Sequence, residues 1–369
     1  MSCKSQSLLG CMFCFLFAVI STYRAYASSG PNWVVLAGPG KLLGQVTAPM
    51  DIAVDSRGFL YISDATGGGR VQQRDPQGNW SILLTHGSAP DQVESPDDLL
   101  VTPWGDLFVV DNTRVLKRDR AGNWSIAFTS TKCMIQGIAA DDSGNVYIAE
   151  GWWGMGRIIK YDPQGGTSIL AEHGRELGEV DFPMDIAVDK LGNLYIADWQ
   201  ANRIQCRSAD GKWTVIANAG QWYGEVNGPN SLAVASDGTL YIGEGNRIQR
   251  RSPSGRWTIV ATNGGGRFQV GGTPRGLSVG PNGELYIADP SNNRVILYPS
   301  PCRTGDLNND GYVNISDVIL LLRLGVLGES PQSPNPTRVG DIDRDGKISV
   351  ADVTKLLNHL VKGMPLPPE

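Results

Sequence analysis

The sequence predicts a mainly β protein, a six-bladed β-propeller followed by a small α-helical module. Three observations carry that reading. A pentad recurs six times, at Leu60–Asp64, Leu107–Asp111, Val146–Glu150, Leu194–Asp198, Leu240–Glu244 and Leu285–Asp289, with its aromatic residues 39 to 48 positions apart. Short apolar runs bounded by turn residues surround each copy. In Phe182–Arg207, for example, DIAV and LYIAD flank the turn Lys190–Asn193, and RIQCR follows a polar loop. A period of roughly 45 residues with four strands per unit is that of a propeller blade. The third observation is an acid-rich loop near the C-terminus that occurs twice, each copy running into an amphipathic helix.

Taken in order, residues 1–27 read as a signal peptide outside the fold. Lys4 gives a positive start, Leu8–Ile20 is the apolar run LLGCMFCFLFAVI, and Ala25-Tyr26-Ala27 supplies the small-x-small cleavage pattern. The run is shorter than the roughly 20 residues of a membrane span. The mature chain is therefore expected to have no membrane span and to be a secreted, extracellular or cell-surface-associated bacterial protein. Leu8–Cys11 also resembles a lipoprotein cleavage box, but in such a box the apolar core precedes the cysteine, whereas here most of it follows. Beyond the leader remain Cys133, Cys206 and Cys302, an odd set without the spacing of a disulfide framework or zinc knuckle. Cys206, inside a strand, reads as a small core residue.

Asn32–Leu36, NWVVL, is a strand with no blade before it. Its counterparts begin at Gly78, Gly122, Gly211 and Gly255, each as the fourth and outermost strand of a blade. The last blade, Thr273–Pro299, has only three strands of its own. The N-terminal strand is expected to complete it and close the ring, leaving no open sheet edge. Closure defines a propeller domain over 31–301 and leaves 302–369 as a second domain, after the stiff junction Tyr298–Pro301.

With 46 Gly, 22 Pro and 41% hydrophobic residues, the composition is that of a turn-rich globular protein. A net charge of −5 argues against a nucleic-acid partner, which would select a basic face.

The pattern Pro-x-(Asp/Gly)-(Ile/Leu)-Ala-Val, then Gly-Asn-Leu-Tyr-Ile-Ala-Asp, then Asn-Arg-Ile-Gln is clearest at Pro183–Gln205 and Pro274–Val295. It resembles the NHL repeat, and six such repeats fill 31–301. The resemblance implies the fold and leaves activity open, because propellers host many unrelated functions.

The C-terminal loops are GDLNNDGYVNISD from Gly305 and GDIDRDGKISVAD from Gly340. Counted from the first Asp, each has oxygen ligands at positions 1, 3 and 5, Gly at 6 and an acid at 12, which is calcium-loop spacing. The first offers Asp306, Asn308, Asp310, Tyr312 through its carbonyl, Asn314 and Asp317. The second offers Asp341, Asp343, Asp345, Lys347 through its carbonyl, Ser349 and Asp352. Two calcium ions are expected in this domain. Val318, Leu321 and Leu322, then Val353, Leu356, Leu357 and Leu360, recur at helical spacing after the loops. Prolines and glycines before each loop leave no room for a preceding helix. Two half-EF-hands with Asp at position 12 resemble a type I dockerin. The resemblance implies a cohesin-type partner, met by Ile315, Ser316, Leu322 and Arg323 and by Val350 and Ala351. These differ from the hydroxyl pairs common in cellulosomal dockerins.

In a propeller, the starts of the innermost strands and the loops between strands two and three open on one face. That places Met50, Asp51, Asp98, Met184 and Asp185 together with Trp152, Trp153 and Trp199, and with Trp222 and Tyr223 from an inter-blade loop. Five of the ten tryptophans (Trp33, Trp80, Trp124, Trp213, Trp257) occupy the repeating outer-strand position and are packing residues. Trp104 falls on the opposite face. Off-pattern aromatics with nearby carboxylates suit a sugar or a peptide side chain, so Asp51, Asp98, Trp152, Trp153, Asp185, Trp199, Trp222 and Tyr223 form the candidate ligand-binding face. The acids closing the pentads recur beside arginines such as Arg203 and Arg294, which reads as turn-fixing rather than catalysis. His86 and His173 do not suffice for a three-histidine zinc site. Lactonase-type propellers hold an axial calcium with Glu and Asn, for which Asn230 and Asp185 are available here.

Together these readings describe a secreted binding or scaffold protein without an assigned catalytic residue. Its propeller recognises a glycan or protein ligand, and its calcium-dependent C-terminal domain docks to a cohesin, in the setting of a polysaccharide-degrading assembly. The alternative is a secreted propeller enzyme of lyase or lactonase type, anchored by the same domain.

Overall fold

The computed structural model describes residues 33–65, 69–264, 269–281, 283–298, 318, 321, 342 and 349–362. Contacts divide the chain into a large unit, Trp33–Pro301, and a second that includes Cys302–Glu369. The expected signal peptide, 1–27, lies outside the described residues.

The large unit is a six-bladed propeller. The pentads form the second strand of each blade; in three blades all five of their residues are buried, and in the other three four of the five are. Such a strand is covered on both faces by neighbouring blades, which is why it reads as a continuous apolar run. Blade one runs Pro49–Val54, Leu60–Asp64, Arg70–Arg74 and Trp80–His86 in antiparallel order, and the later blades repeat it. The N-terminal strand Val34–Pro39 pairs antiparallel with Arg294–Tyr298, so the ring closes with one piece from each end of the chain.

The turns follow from side chains that imitate backbone. Asp189 Oδ1 accepts the N–H groups of Leu191 and Asn193, and its second oxygen holds the Asn193 amide. Asp75 with Asn79, Asp119 with Asn123 and Asp141 with Asn145 repeat the device. Gly192 completes the turn at φ +80°, a conformation costly for residues with a Cβ.

Apolar cores lie between blades rather than within them. Val93, Leu99 and Val109 meet Val71 and Leu84 between blades one and two, and Val226, Leu232 and Ile242 meet Ile204 between blades four and five. Trp80, Trp213 and Trp257 cover the outer rims of such cores, and Trp33 is buried in one. Cys206, expected in the core, is only half-buried, because its side of strand Arg203–Arg207 faces the margin where Tyr195 and Thr214 lie.

In the second unit, the described helix Val350–Lys362 buries Val353 and Leu356 and exposes Ala351 and Leu357, a one-sided pattern that matches its sequence period. Among the described residues no helix is long and apolar enough to cross a membrane.

Candidate functional site

Three blades bring two residues each to the propeller axis at the start of their innermost strands and the other three bring one each, and together they line a small cavity of about 30 Å³. Strand pairing makes Asp51, Asp98, Gly137, Asp185, Ser231 and Gly276 equivalent positions around the ring. Three of the six are therefore aspartates. Each accepts a backbone N–H from the next innermost strand within the ring. Leu99 N donates to Asp51 Oδ2 at 2.8 Å, Ile138 N to Asp98 Oδ2 at 2.6 Å and Leu232 N to Asp185 Oδ2 at 2.6 Å. Asp185 thus reaches past blade four to the inner strand of blade five, so the acids stitch neighbouring blades together at the axis.

Three carboxyls in one cavity disfavour full ionisation. Burial pushes Asp98 up to about 6. Burial, then the Asp98 charge, raises Asp51 and Asp185 well above the usual carboxylate range. Asp97, Gln136, Asn230, Met50, Met184 and Arg275 complete the lining. Asp97, Gln136 and Arg275 escaped the sequence reading because they interrupt the repeat individually; only the ring places them side by side. Among the described residues no group of three or more His, Cys, Asp or Glu is arranged to hold a metal ion. His86 and His173 stand at the outer ends of two different blades.

Beside the axis, on the same face, lies an aromatic cluster. The hairpin of blade three is lengthened: Val146–Trp152 and Met155–Tyr161 have seven residues each, where the corresponding strands of blade four have five. Trp152 and Trp153 sit at its tip, and Gly154 turns the chain at φ +71°. Two glycines let this hairpin lie against blade four. A Cβ on Gly151 would stand 2.5 Å from the Phe182 ring, and one on Gly156 would stand 2.7 Å from the Asp181 carbonyl oxygen.

Trp153, Phe182 and Trp199 then meet edge to face in a closed triangle, with ring centroids 5.9, 5.7 and 5.7 Å apart. Phe182 is buried beneath, while Trp153 remains 60% exposed. The sequence reading named both tryptophans and missed Phe182, whose place in a strand-one lead-in gave no sign of its partners. Trp222 and Tyr223 are exposed in the connection between blades four and five, and among the described residues they make no ring contact with the triangle.

The acids closing the pentads are structural hubs. Asp198 accepts the N–H groups of Asp181 and Phe182 and the Nε of Arg203, whose terminal nitrogens hold the carbonyls of Arg175, Glu176 and Glu179. Asp64 with Arg70, Asp111 with Arg114, Glu244 with Arg247 and Asp289 with Arg294 repeat the pairing.

Of the residues expected to form the calcium loops, Ser349 and Asp352 are described. Asp352, at position 12, is fully buried and accepts the N–H groups of Ile342 at 2.6 Å and Ser349 at 2.7 Å, which closes the loop onto the start of the helix. Asp306, Asn308, Asp310, Tyr312, Asn314, Asp317, Asp341, Asp343, Asp345 and Lys347 lie outside the described residues, as do Ile315, Ser316, Leu322 and Arg323. Val350 and Ala351 form the first turn of the helix.

Residues 304–361 match the dockerin type I domain. Dockerin type I domains bind calcium, a dockerin implies a cohesin partner, and dockerins occur in extracellular cellulosome components. For the propeller, the similar solved structures include a streptogramin B lyase, with TM-score 0.53 and 14% identity over 72% of this chain and 96% of that one. An auxiliary nutrient binding protein from Bacteroides thetaiotaomicron has TM-score 0.57 and 14% identity, covering 72% of this chain and 75% of its own. A gluconolactonase from Xanthomonas campestris has TM-score 0.56 and 14% identity, covering 73% and 89%. At such identities the likeness establishes the fold alone. No curated protein matches the sequence.

Proposed function

We propose that the protein is a secreted binding component of an extracellular assembly. Its dockerin domain, 302–369, docks to a cohesin, and its propeller, 31–301, presents the aromatic face to a glycan or protein ligand. The dockerin type I match carries the docking half of this reading. Two calcium ions would be held by the loops beginning at Asp306 and Asp341, whose clustered carboxylates repel one another until a cation joins them. Ile315, Ser316, Leu322, Arg323, Val350 and Ala351 would meet the cohesin.

The ligand half rests on the Trp153–Phe182–Trp199 triangle, in which Trp153 is exposed above the buried Phe182, with the exposed Trp152, Trp222 and Tyr223. Exposed indoles offer flat apolar faces for sugar C–H surfaces or peptide side chains, and the axial acids Asp51, Asp98 and Asp185 add acceptors for hydroxyl or amide groups. A polysaccharide-degrading setting follows from the dockerin association.

The test is affinity capture with the full mature chain from secreted and envelope fractions, with calcium and with chelator. The expected result is a cohesin-bearing protein retained only with calcium. Replacing Trp152, Trp153 and Trp199 by Ala should keep that capture and lose the propeller ligand. Loss of neither would leave the face without a role. The enzyme reading draws support from one observation, the shared cavity of perturbed axial carboxyls. Stoichiometric metal in the isolated propeller would favour it.

A further inference from the structure

The connection leading into blade three departs from the other five. Elsewhere it carries a short stretch that runs parallel to the outermost strand of the preceding blade, pairing Gly38 with Gln45, Thr85 with Gln92, Asn218 with Glu225 and Thr262 with Gln269, and bridging His173 to Val180. Each stretch inserts a fully buried valine between blades: Val46, Val93, Val180, Val226 or Val270. From Thr85 to Leu99 the chain advances fourteen residues, whereas from the equivalent Thr129 to Ile138 it advances only nine. The shortened connection is tied back to its own blade, with Ser130 N donating to the Thr113 carbonyl and Ile135 N to the Asn112 carbonyl. It has no parallel stretch, and the core between blades two and three contains no such valine.

The groups that the missing stretch would serve are still present. In blade four the Arg203 terminal nitrogens donate to three carbonyls of the incoming connection, and in blades two and five Arg114 and Arg247 do the same. Among the described residues the equivalent Arg157 bonds only to Glu150, through Nε, and its terminal nitrogens have no acceptor. In the other blades the pentad acid also accepts an N–H from the connection, as Asp111 does from Glu94 and Ser95. The equivalent Glu150 Oε1 is buried without a partner, the one buried side-chain polar atom so left among the described residues. Beside Arg157 there is an open groove of about 350 Å³, lined by Phe128, Thr129 and Thr131 of one blade and Arg157, Tyr161 and Ile169 of the next.

We propose that this slot between blades two and three binds an extended polypeptide segment of a partner protein, which lies parallel to Trp124–Thr129 and supplies what the short connection lacks. The segment offers backbone carbonyls to Arg157, a backbone N–H to Glu150 and a small branched apolar side chain to the gap that valine fills elsewhere. This is strand addition at a sheet edge, with the arginine and glutamate fixing its register. A buried carboxylate oxygen without a donor is costly, so satisfying it favours the occupied state.

The probe is a fluorescently labelled peptide with the sequence of Gly87–Ser95, the chain's own connection between blades one and two, titrated into the full mature chain. Saturable binding is expected, with Kd weakened at least tenfold by Arg157→Gln and by an aspartate in place of valine in the peptide. A second variant replaces the short connection by the longer one from blades one and two, filling the slot from within. It is expected to melt at a higher temperature and to bind no peptide. Absence of saturable peptide binding to the native chain overturns the proposal, as does unchanged affinity in Arg157→Gln. So does displacement of the peptide by acetate or phosphate at equal concentration, which would make the slot a small-anion site.

Discussion

Five junctions of the ring and the one between blades two and three use the same acid–arginine pair in opposite ways. At the junction into blade four, Asp198 and Arg203 are enclosed by backbone donors and acceptors that the connection itself brings. At the junction into blade three, Glu150 and Arg157 remain paired with each other, but the connection is five residues shorter and among the described residues nothing replaces its bonds. A motif repeated in the sequence is thus a lock where the connection is long enough and an open socket where it is short. Polar groups retained without their partners are the mark of a place built for something else.

The largest expected effect sharpens this contrast through stability. Arg203→Gln removes one member of a buried, fully bonded pair and should lower unfolding free energy by about 3–5 kcal/mol. Arg157→Gln should cost clearly less, since its terminal nitrogens hold nothing; denaturant melts of both variants decide it, and equal losses would erase the distinction. Next in size is Val226→Ala, which opens a cavity in a regular junction and should cost about 1–3 kcal/mol. Cys133→Ala, at the short junction where no buried valine stands, should cost less than about 1 kcal/mol by the same melts.

A smaller effect concerns the axis. Asp51, Asp98 and Asp185 bind protons more tightly folded than unfolded, so what they add to stability is complete below pH 3.8 and is lost as pH rises through about 6 for Asp98. The melting temperature of Asp98→Asn, measured from pH 4 to pH 7, should fall less steeply than that of the native chain. A parallel pair of curves would remove the axial carboxyls from the account. The smallest effect belongs to the aromatic face. Trp153→Ala should cost only about 0.5–1.5 kcal/mol in thermal melts, because the ring is mostly exposed and its edge-to-face contacts are modest. A loss of several kcal/mol would make the triangle a structural staple.

Much of this was legible along the chain, for reasons of periodicity. The pentads are local patterns, so six blades and their outer tryptophans could be counted without knowing a single contact. The closing strand at Asn32–Leu36 was legible because the last blade lacked a fourth strand. The doubled acid-rich loop was legible because its oxygen-bearing side chains recur at fixed spacing within one short segment, Asp341 to Asp352 for instance. On the propeller face Asp51, Asp98, Asp185, Trp153 and Trp199 could be named from topology, while Phe182, Asp97, Gln136 and Arg275 could not, since each is ordinary in its own repeat.

By itself, then, the sequence determined the number of blades, the ring closure and the doubled loop, because these depend on residues near one another in the chain. Only the tertiary structure decided which odd residues meet. It joined Trp153 to Phe182 and Trp199 across two blades, and it set three aspartates around one axis. It also showed that a connection five residues short leaves Arg157 and Glu150 without the backbone that satisfies their counterparts. The physical reason is that a repeat specifies how each blade folds, whereas burial and hydrogen-bond satisfaction are properties of the spaces between blades.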